Sequence, residues 1–250
     1  MIRKTDVLII GAGQAGLAMS RCLADRGIDH VLLERGAVGQ RWRAERWASL
    51  HLLTPNWMTR LPGWHYEGAD PEGFMHKDHV VGMLNRYARS FAAPVEEFAA
   101  VESVRRSGRG FLVETQTGCW AARAVVIATG ACDRPAVPHF SQTVAPGISQ
   151  VTTADYVHAD QLAPGGVLVV GASATGVQLA EEIHRSGRPV TLAAGAHVRL
   201  PRQYRGRDIL EWLDRCGVLA EARDRPCPRT GLWSSRRCNW SVPCRHGTST

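Results

Sequence analysis

The chain of 250 residues is 44% apolar and 21% charged, enough to bury the core of one large or two small domains. Its formal charge of +7 owes five units to Arg225, Arg229, Arg236, Arg237 and Arg245, which follow the last acidic residue, Asp224; the rest is nearly balanced, so neither nucleic acid nor a membrane surface is an expected partner. Seven cysteines with no C-x-x-C pair argue against a disulfide framework, a redox dithiol and a zinc ribbon; no metal is expected, and a reducing cytoplasm is the expected setting.

The amino terminus, MIRKTDVLIIGAGQAGLAMS, has the basic start and apolar run of a signal peptide, but Asp6 interrupts it and glycines recur at a different, meaningful spacing. Val7 to Ile10 suit a buried parallel strand, and Gly11, Gly13 and Gly16 follow as G-x-G-x-x-G. A helix is predicted to continue to about Arg26, and a second strand, Val31 to Leu33, ends in Glu34. Each glycine meets a separate physical need. Gly11 permits the tight turn, Gly13 keeps a side chain away from a pyrophosphate, and Gly16 allows close helix–strand packing. The helix start, with Gln14 and Ala15, offers N–H groups and a partial positive charge to an anion. Glu34 is placed to accept ribose hydroxyls and would repel a 2′-phosphate, so FAD or NAD fits this first site and NADP does not.

Further along, VGQRWRAERWASLHLLTPNW carries a Gly-x-x-Trp stretch, Gly39 to Trp42. HKDHVVGMLNRYARSF reads as an amphipathic helix with Val80, Met83, Leu84 and Tyr87 toward the core. Strands near 99–104 and 110–115 suggest a β-meander, and strand 124–127 leads into Ala128-Thr129-Gly130. His51 and His76 read as solvated.

A second turn lies in GGVLVVGASATGVQLAEEIHRSGRPVTLAAG. Strand Val167 to Val170 precedes Gly171 and Gly176, with Ser173 at the middle-glycine position beside Ala174 and Thr175; helix 177–186 and strand 190–192 follow. That strand ends in Ala193-Ala194 instead of an acid, and Arg199 and Arg202 come soon after. Loss of the acid with gain of arginines is what a 2′-phosphate requires, so NADPH is preferred to NADH here. GASAT lacks the final glycine of a G-x-S-x-G elbow, so Ser173 is not read as a nucleophile.

The ordered set of motifs over residues 5–222 resembles flavin-containing and Baeyer–Villiger-type monooxygenases, bacterial FAD-dependent NAD(P)-binding flavoproteins with two dinucleotide-binding domains. The Gly-x-x-Trp stretch, the A-T-G junction before prolines, and PRQYRGRDILEW carry the likeness. It implies an α/β fold of two Rossmann-like dinucleotide-binding domains, the second one and the return segment of the first being incomplete. Residues 1–158 would be the FAD-binding domain, 159–222 a partial NADPH-binding domain, and 223–250 an irregular tail. The implied chemistry is hydride transfer from NADPH to FAD, O₂ activation at flavin C4a, and oxygenation of a small organic substrate. Arg35, Arg41, Trp42 and Val101 join the glycine-turn residues, Glu34 and Ala128 to Gly130 around FAD, with Val101 near adenine. Trp42, Thr54 and Asn56 are the implied ring-side residues. The sequence departs from the family fingerprint at PGISQVTTADY, where Tyr156 matches but Thr152 stands at the histidine position. A flavin reductase without a dithiol, or a fragment that merely binds nucleotide, remain alternatives.

The ending, GLWSSRRCNWSVPCRHGTST, shows no helix or strand period. Shifting GC-rich codons for Ser235 to Val242 forward by two bases yields a peptide resembling the in-frame sequence of relatives, so a frameshifted tail is expected, with weak flavin retention and poor solubility as consequences. A genuine carboxy-terminal extension is the competing expectation.

Overall fold

The structure, a computed structural model, describes residues 2–131, 134–196 and 201–221. The expected tail, 223–250, and Arg199 lie outside the described residues. The chain divides into two compact units, 1–192 and 193–250.

In the first unit, β1 (Ile2–Ile10), α1 (Gln14–Ala24) and β2 (His30–Leu33) form a strand–helix–strand repeat. A short α2 (Gln40–Ala44) and the small hairpin β3 (Arg60–Leu61) and β4 (Trp64–His65) precede α3 (Lys77–Ser90). Then come β5 (Val95–Glu96), β6 (Val101–Ser107), β7 (Gly110–Thr115) and β8 (Gly118–Ile127). A linker with short 3₁₀ turns leads to β9 (Val167–Val170), α4 (Ala174–Arg185) and β10 (Val190–Ala193).

Six strands make one sheet in the order β5-β2-β1-β8-β7-β6. β5, β2, β1 and β8 run parallel, and β8, β7 and β6 form the expected antiparallel meander. β1 starts five residues before Val7, because Ile2 to Thr5 pair with Cys119 to Ala122 at the start of β8. The apolar run alone marked only the ends of both strands: β1 opens with exposed Ile2, Arg3 and Lys4, and β8 opens with buried Trp120 and Ala122 alternating with less buried neighbours.

The sheet buries both faces. Ile9 and Leu32 pack with Leu17 of α1 and Val80, Met83, Leu84 and Tyr87 of α3. Their neighbours Leu8 and Leu33 point the other way, onto Ala99, Val113, Trp120 and Ala122, as the two-residue period of a strand requires. α3 exposes the opposite stripe, and His76 caps its start by accepting from the Asp78 N–H at 3.3 Å.

β9 and β10 pair as a separate two-stranded sheet. Val167, Val169, Val190, Leu179 and Ile183 join Trp47, Leu50 and Tyr156 in a third cluster. On the other face of β9, Leu168 and Val170 are 60% and 57% exposed.

In the second unit, β11 (Gln203–Tyr204) and β12 (Arg207–Asp208) form a hairpin. Its two turn residues, Arg205 and Gly206, both have positive φ, as a tight hairpin turn demands. Asp208 then caps α5 (Ile209–Arg215), accepting from the Leu210 N–H at 2.8 Å and pairing with Arg202 at 2.6 Å. None of the helices described is long and apolar enough to cross a membrane.

Candidate functional site

The strand register builds the site. Ile10 of β1 lies level with Leu33 of β2 on one side and Ile127 of β8 on the other. The next residue on each strand is therefore Gly11, Glu34 and Ala128, three segments released together from the carboxyl edge of a parallel sheet. This is where open α/β sheets take their ligands.

Gly11 has φ +105°, and a Cβ there would stand 2.6 Å from the Ala128 carbonyl oxygen. Gly16 faces the Gly11 carbonyl so closely that any Cβ would overlap it. Gly13, the N-cap of α1, has φ −84°, and a Cβ there would meet no atom within 4 Å. The first two glycines are thus required by the protein's own packing, and the third only by whatever lies in front of it.

The Glu34 carboxylate is buried and fixed by backbone donors, the Ala12 N–H at 2.7 Å and the Gly36 N–H at 3.2 Å. An ionised carboxylate has room for about four hydrogen bonds, so it can still accept from a ligand hydroxyl.

These segments border a cavity of about 860 Å³. Of the residues expected around FAD, it is lined by Gly11, Gly13, Gln14 and Ala15 from the turn, Glu34 and Arg35 after β2, and Arg41 and Trp42 on α2. Val101 and Ala128, Thr129 and Gly130 complete the expected set on its wall; Gly16 sits behind the turn. Sequence reasoning missed Arg46, Arg60 and Pro62, which also line it. Proximity to Trp42 in sequence was the available signal for Arg46, whose guanidinium lies 5.8 Å from the Trp42 ring. Nothing local signals Arg60, which the β3–β4 hairpin brings across.

Four arginines thus face the cavity around one fixed carboxylate, a charge balance suited to a pyrophosphate next to a ribose. Glu45 organises two of them. It pairs with Arg35, and with Arg41 at 2.9 Å, while Arg41 also reaches the Ala131 carbonyl at 2.9 Å.

The second turn repeats the close helix–strand contact of the first. Gly171 has φ +106° and Gly176 lies against its carbonyl as Gly16 lies against that of Gly11. Ser173 takes the place of Gly13 as N-cap with φ −80° and ψ 178°, a conformation open to any residue. Ala174, Thr175 and Gly176 form the first turn of α4. Arg202 belongs to the second unit, where its partner is Asp208.

α4 is tied to the segment after α2. Tyr156 donates to Glu182 at 2.6 Å, Ser49 donates to the other oxygen of that carboxylate, and the His51 N–H donates to Gln178 at 3.4 Å. Burial, with the Glu182 carboxylate beside it, pushes the Tyr156 hydroxyl far above the usual phenol range. Trp42 packs against both the cluster under β1 and the cluster under α4, so it stands between the two strand–helix–strand repeats.

The three implied ring-side residues are not together. Trp42 lines the 860 Å³ cavity, Thr54 is exposed on the loop before β3, and Asn56 lines a different cavity. His51 and His76 join their segments through an antiparallel bridge, and each ring is held by a backbone carbonyl, Ser49 and Ala48 respectively, both at 2.8 Å.

Known proteins share this arrangement. A CzcO-like oxidoreductase of Geobacillus kaustophilus is 37% identical over 216 residues, covering 86% of this chain and 61% of its own length. Indole-3-pyruvate monooxygenase YUCCA6 of Arabidopsis thaliana is 31% identical, over 84% of this chain and 54% of its own. The flavin-containing monooxygenase of Stenotrophomonas maltophilia superposes with a TM-score of 0.72 at 27% identity, over 86% of this chain and 64% of that one. The chain thus spans between about half and two-thirds of the length of these relatives. The family model of pyridine nucleotide-disulphide oxidoreductases matches residues 8–207, which include both glycine turns, the A-T-G junction and the linker between them. By that match, and by a fold that the flavin monooxygenases share, this chain belongs to the pyridine nucleotide-disulphide oxidoreductase family.

Proposed function

We propose that the chain carries the dinucleotide-binding machinery of an FAD-dependent, NADPH-oxidising oxidoreductase of the flavin monooxygenase type. The observation that carries the reading is that the fixed Glu34 carboxylate and the unobstructed Gly13 line one cavity rich in arginine. Gly13, Gln14 and Ala15 would take the FAD pyrophosphate on the first turn of α1, Glu34 its adenosine ribose, and Val101 the adenine. Arg41 and Trp42 would lie along the flavin end, with Ala128, Thr129 and Gly130 closing the floor.

Gly171, Ser173, Ala174, Thr175 and Gly176 would take the pyrophosphate of a nicotinamide nucleotide, and the preference for a 2′-phosphate is carried by the sequence, which has no acid after the second strand of that repeat. When bound, the flavin supplies hydride acceptance and O₂ activation toward a small organic substrate; the chain supplies grip, orientation and exclusion of water. Trp42 would be the ring-side residue on the wall of this cavity, whose lining includes neither Thr54 nor Asn56. The lack of C-x-x-C in the sequence favours this reading over thiol–disulfide exchange.

The test is a titration of the purified chain with FAD, followed anaerobically by NADPH and then by air. Saturable quenching of flavin fluorescence, bleaching of the flavin band by NADPH, and its return with air are expected. FAD binding that survives Glu34→Ala unchanged would overturn the assignment of the first turn.

A further inference from the structure

α4 carries the second glycine turn at its amino end, and two of its side chains reach out of their own repeat. Gln178 accepts from the His51 N–H at 3.4 Å; Glu182 accepts from the Ser49 hydroxyl and, at 2.6 Å, from the Tyr156 hydroxyl. Residues four apart share a helix face, so one face of α4 is fastened to the segment 49–51. The Glu182 carboxylate is held by two hydroxyl donors, each from a different stretch of chain. Such charge-assisted bonds are short and directional, and they fix the helix in rotation as well as in distance.

The same segment leads back to the wall of the dinucleotide cavity. Only Glu45 to Ala48 separate Ser49 from α2, which presents Arg41 and Trp42 to that cavity. A helix as short as α2 does not hold its own shape in water, so its placement depends on what its ends are tied to. At its start, the Gly39 N–H donates to the Ala12 carbonyl at 3.3 Å. Beyond its end, Trp47 and Leu50 are buried with Leu179 and Ile183 of α4, and Trp42 packs against the same cluster. The start of α3 holds the far side: the Lys77 N–H donates to the Leu50 carbonyl at 2.9 Å, and the His76 ring to the Ala48 carbonyl at 2.8 Å. The helix that bears the second glycine turn therefore grips the segment that positions α2.

We propose that Glu182 is a positioning residue that couples the two turns, so that a nicotinamide nucleotide on α4 tightens FAD in the first cavity and FAD tightens that nucleotide equally. The inference rests on the reading of both turns as nucleotide sites. A ligand on the first turn of α4 restricts the helix. Through Glu182 and Ser49 the restriction reaches α2, and the second ligand then has less chain left to order. Apolar packing of Leu179 and Ile183 is non-directional; the carboxylate adds the angular constraint.

Fluorescence titration with FAD, without and with saturating NADP⁺, tests it, the reverse titration being followed by calorimetry. In the unmodified chain NADP⁺ is expected to lower the FAD dissociation constant about fivefold or more, and FAD to lower that of NADP⁺ by the same factor. Glu182→Gln leaves one acceptor oxygen for two hydroxyls, and Ser49→Ala removes one donor. In both variants the coupling should vanish while each nucleotide alone still binds. A purely structural role would lower the melting temperature and both affinities and leave the coupling factor as it was, which overturns the proposal. Two nucleotides that bind the unmodified chain without affecting each other also overturn it, and that result spares the reading of the turns. Failure of either nucleotide to bind overturns both.

Discussion

Gly13 and Gly16 stand three residues apart in one turn, yet an added methyl group has opposite consequences at the two positions. At Gly16 it would collide with the Gly11 carbonyl, so Gly16→Ala should lower the melting temperature of the chain or prevent folding. At Gly13 the space is open and the backbone ordinary. Gly13→Ala should therefore leave the melting curve almost unmoved and weaken FAD at least tenfold, as fluorescence titration would register. A methyl that harmed both equally would show that Gly13 is structural. Glu34→Ala strips partners from the Ala12 and Gly36 N–H groups; unmade buried hydrogen bonds of this kind cost about 1–3 kcal/mol each, so a loss of stability is expected even without ligand. Tyr87 adds a dependence on pH. Its hydroxyl donates to the Pro62 carbonyl at 2.8 Å, and burial pushes its pKa up to about 12. The group is neutral when protonated and its folded value is the higher one, so its contribution is complete below pH ~10 and is lost as pH rises toward ~12. Melting temperature should fall across that window in the native chain, and fall less in Tyr87→Phe.

Among elements, α2 shows how a five-residue helix can matter more than its length suggests. Gly39 enters it in the left-handed region, with φ +73°, which turns Arg41 and Trp42 toward the cavity. Glu45 at its end holds Arg35 and Arg41 together. Glu45→Gln should release both guanidinium groups; FAD affinity is expected to drop several-fold, and its dependence on salt concentration to steepen, because loosely held cations exchange contacts with solvent ions. An unchanged salt slope would contradict the role given to Glu45. Helices and parallel strands were legible from the sequence because their periods differ: Val7 to Ile10 and Val167 to Val170 are apolar runs, and Val80, Met83, Leu84 and Tyr87 recur at helical spacing. The hairpin of β3 and β4 was not legible. Two-residue strands have no period to read, and Arg60 reaches the cavity only because distant chain, Tyr87 against Pro62, holds the hairpin there. Asn56 was drawn to the flavin side by its likeness to a family residue, yet the fold turns it into the other cavity, since loop direction follows from tertiary contacts such as that with Asp70 and not from spacing.

At the scale of the sheets, the first packs a cluster on each face yet leaves Ile127 of β8 exposed, and β9 and β10 stand as a pair with Leu168 and Val170 largely exposed. Exposed strand faces of this kind are a liability for association. Replacing both residues with Thr should raise the soluble fraction of the expressed chain without altering FAD titration, and dynamic light scattering would report the change. About half the wall of the 860 Å³ cavity, twelve of its twenty-three residues, could be named from motifs, because a tight turn leaves few choices of residue; the identity of a substrate could not, because no turn or period encodes it. The duplication of that turn has its own corollary. Gly11 and Gly171 have nearly the same φ, and Gly16 and Gly176 lie in the same embrace, so the two turns differ chiefly where Ser173 replaces Gly13. A carboxylate, Glu34, follows the second strand of the first repeat, whereas the second repeat has Ala194. On the proposed assignment of both turns, an ADP-ribose fragment, bearing the shared handle and no reactive ring, should displace FAD and NADPH alike in separate binding titrations, each along a one-site competition curve.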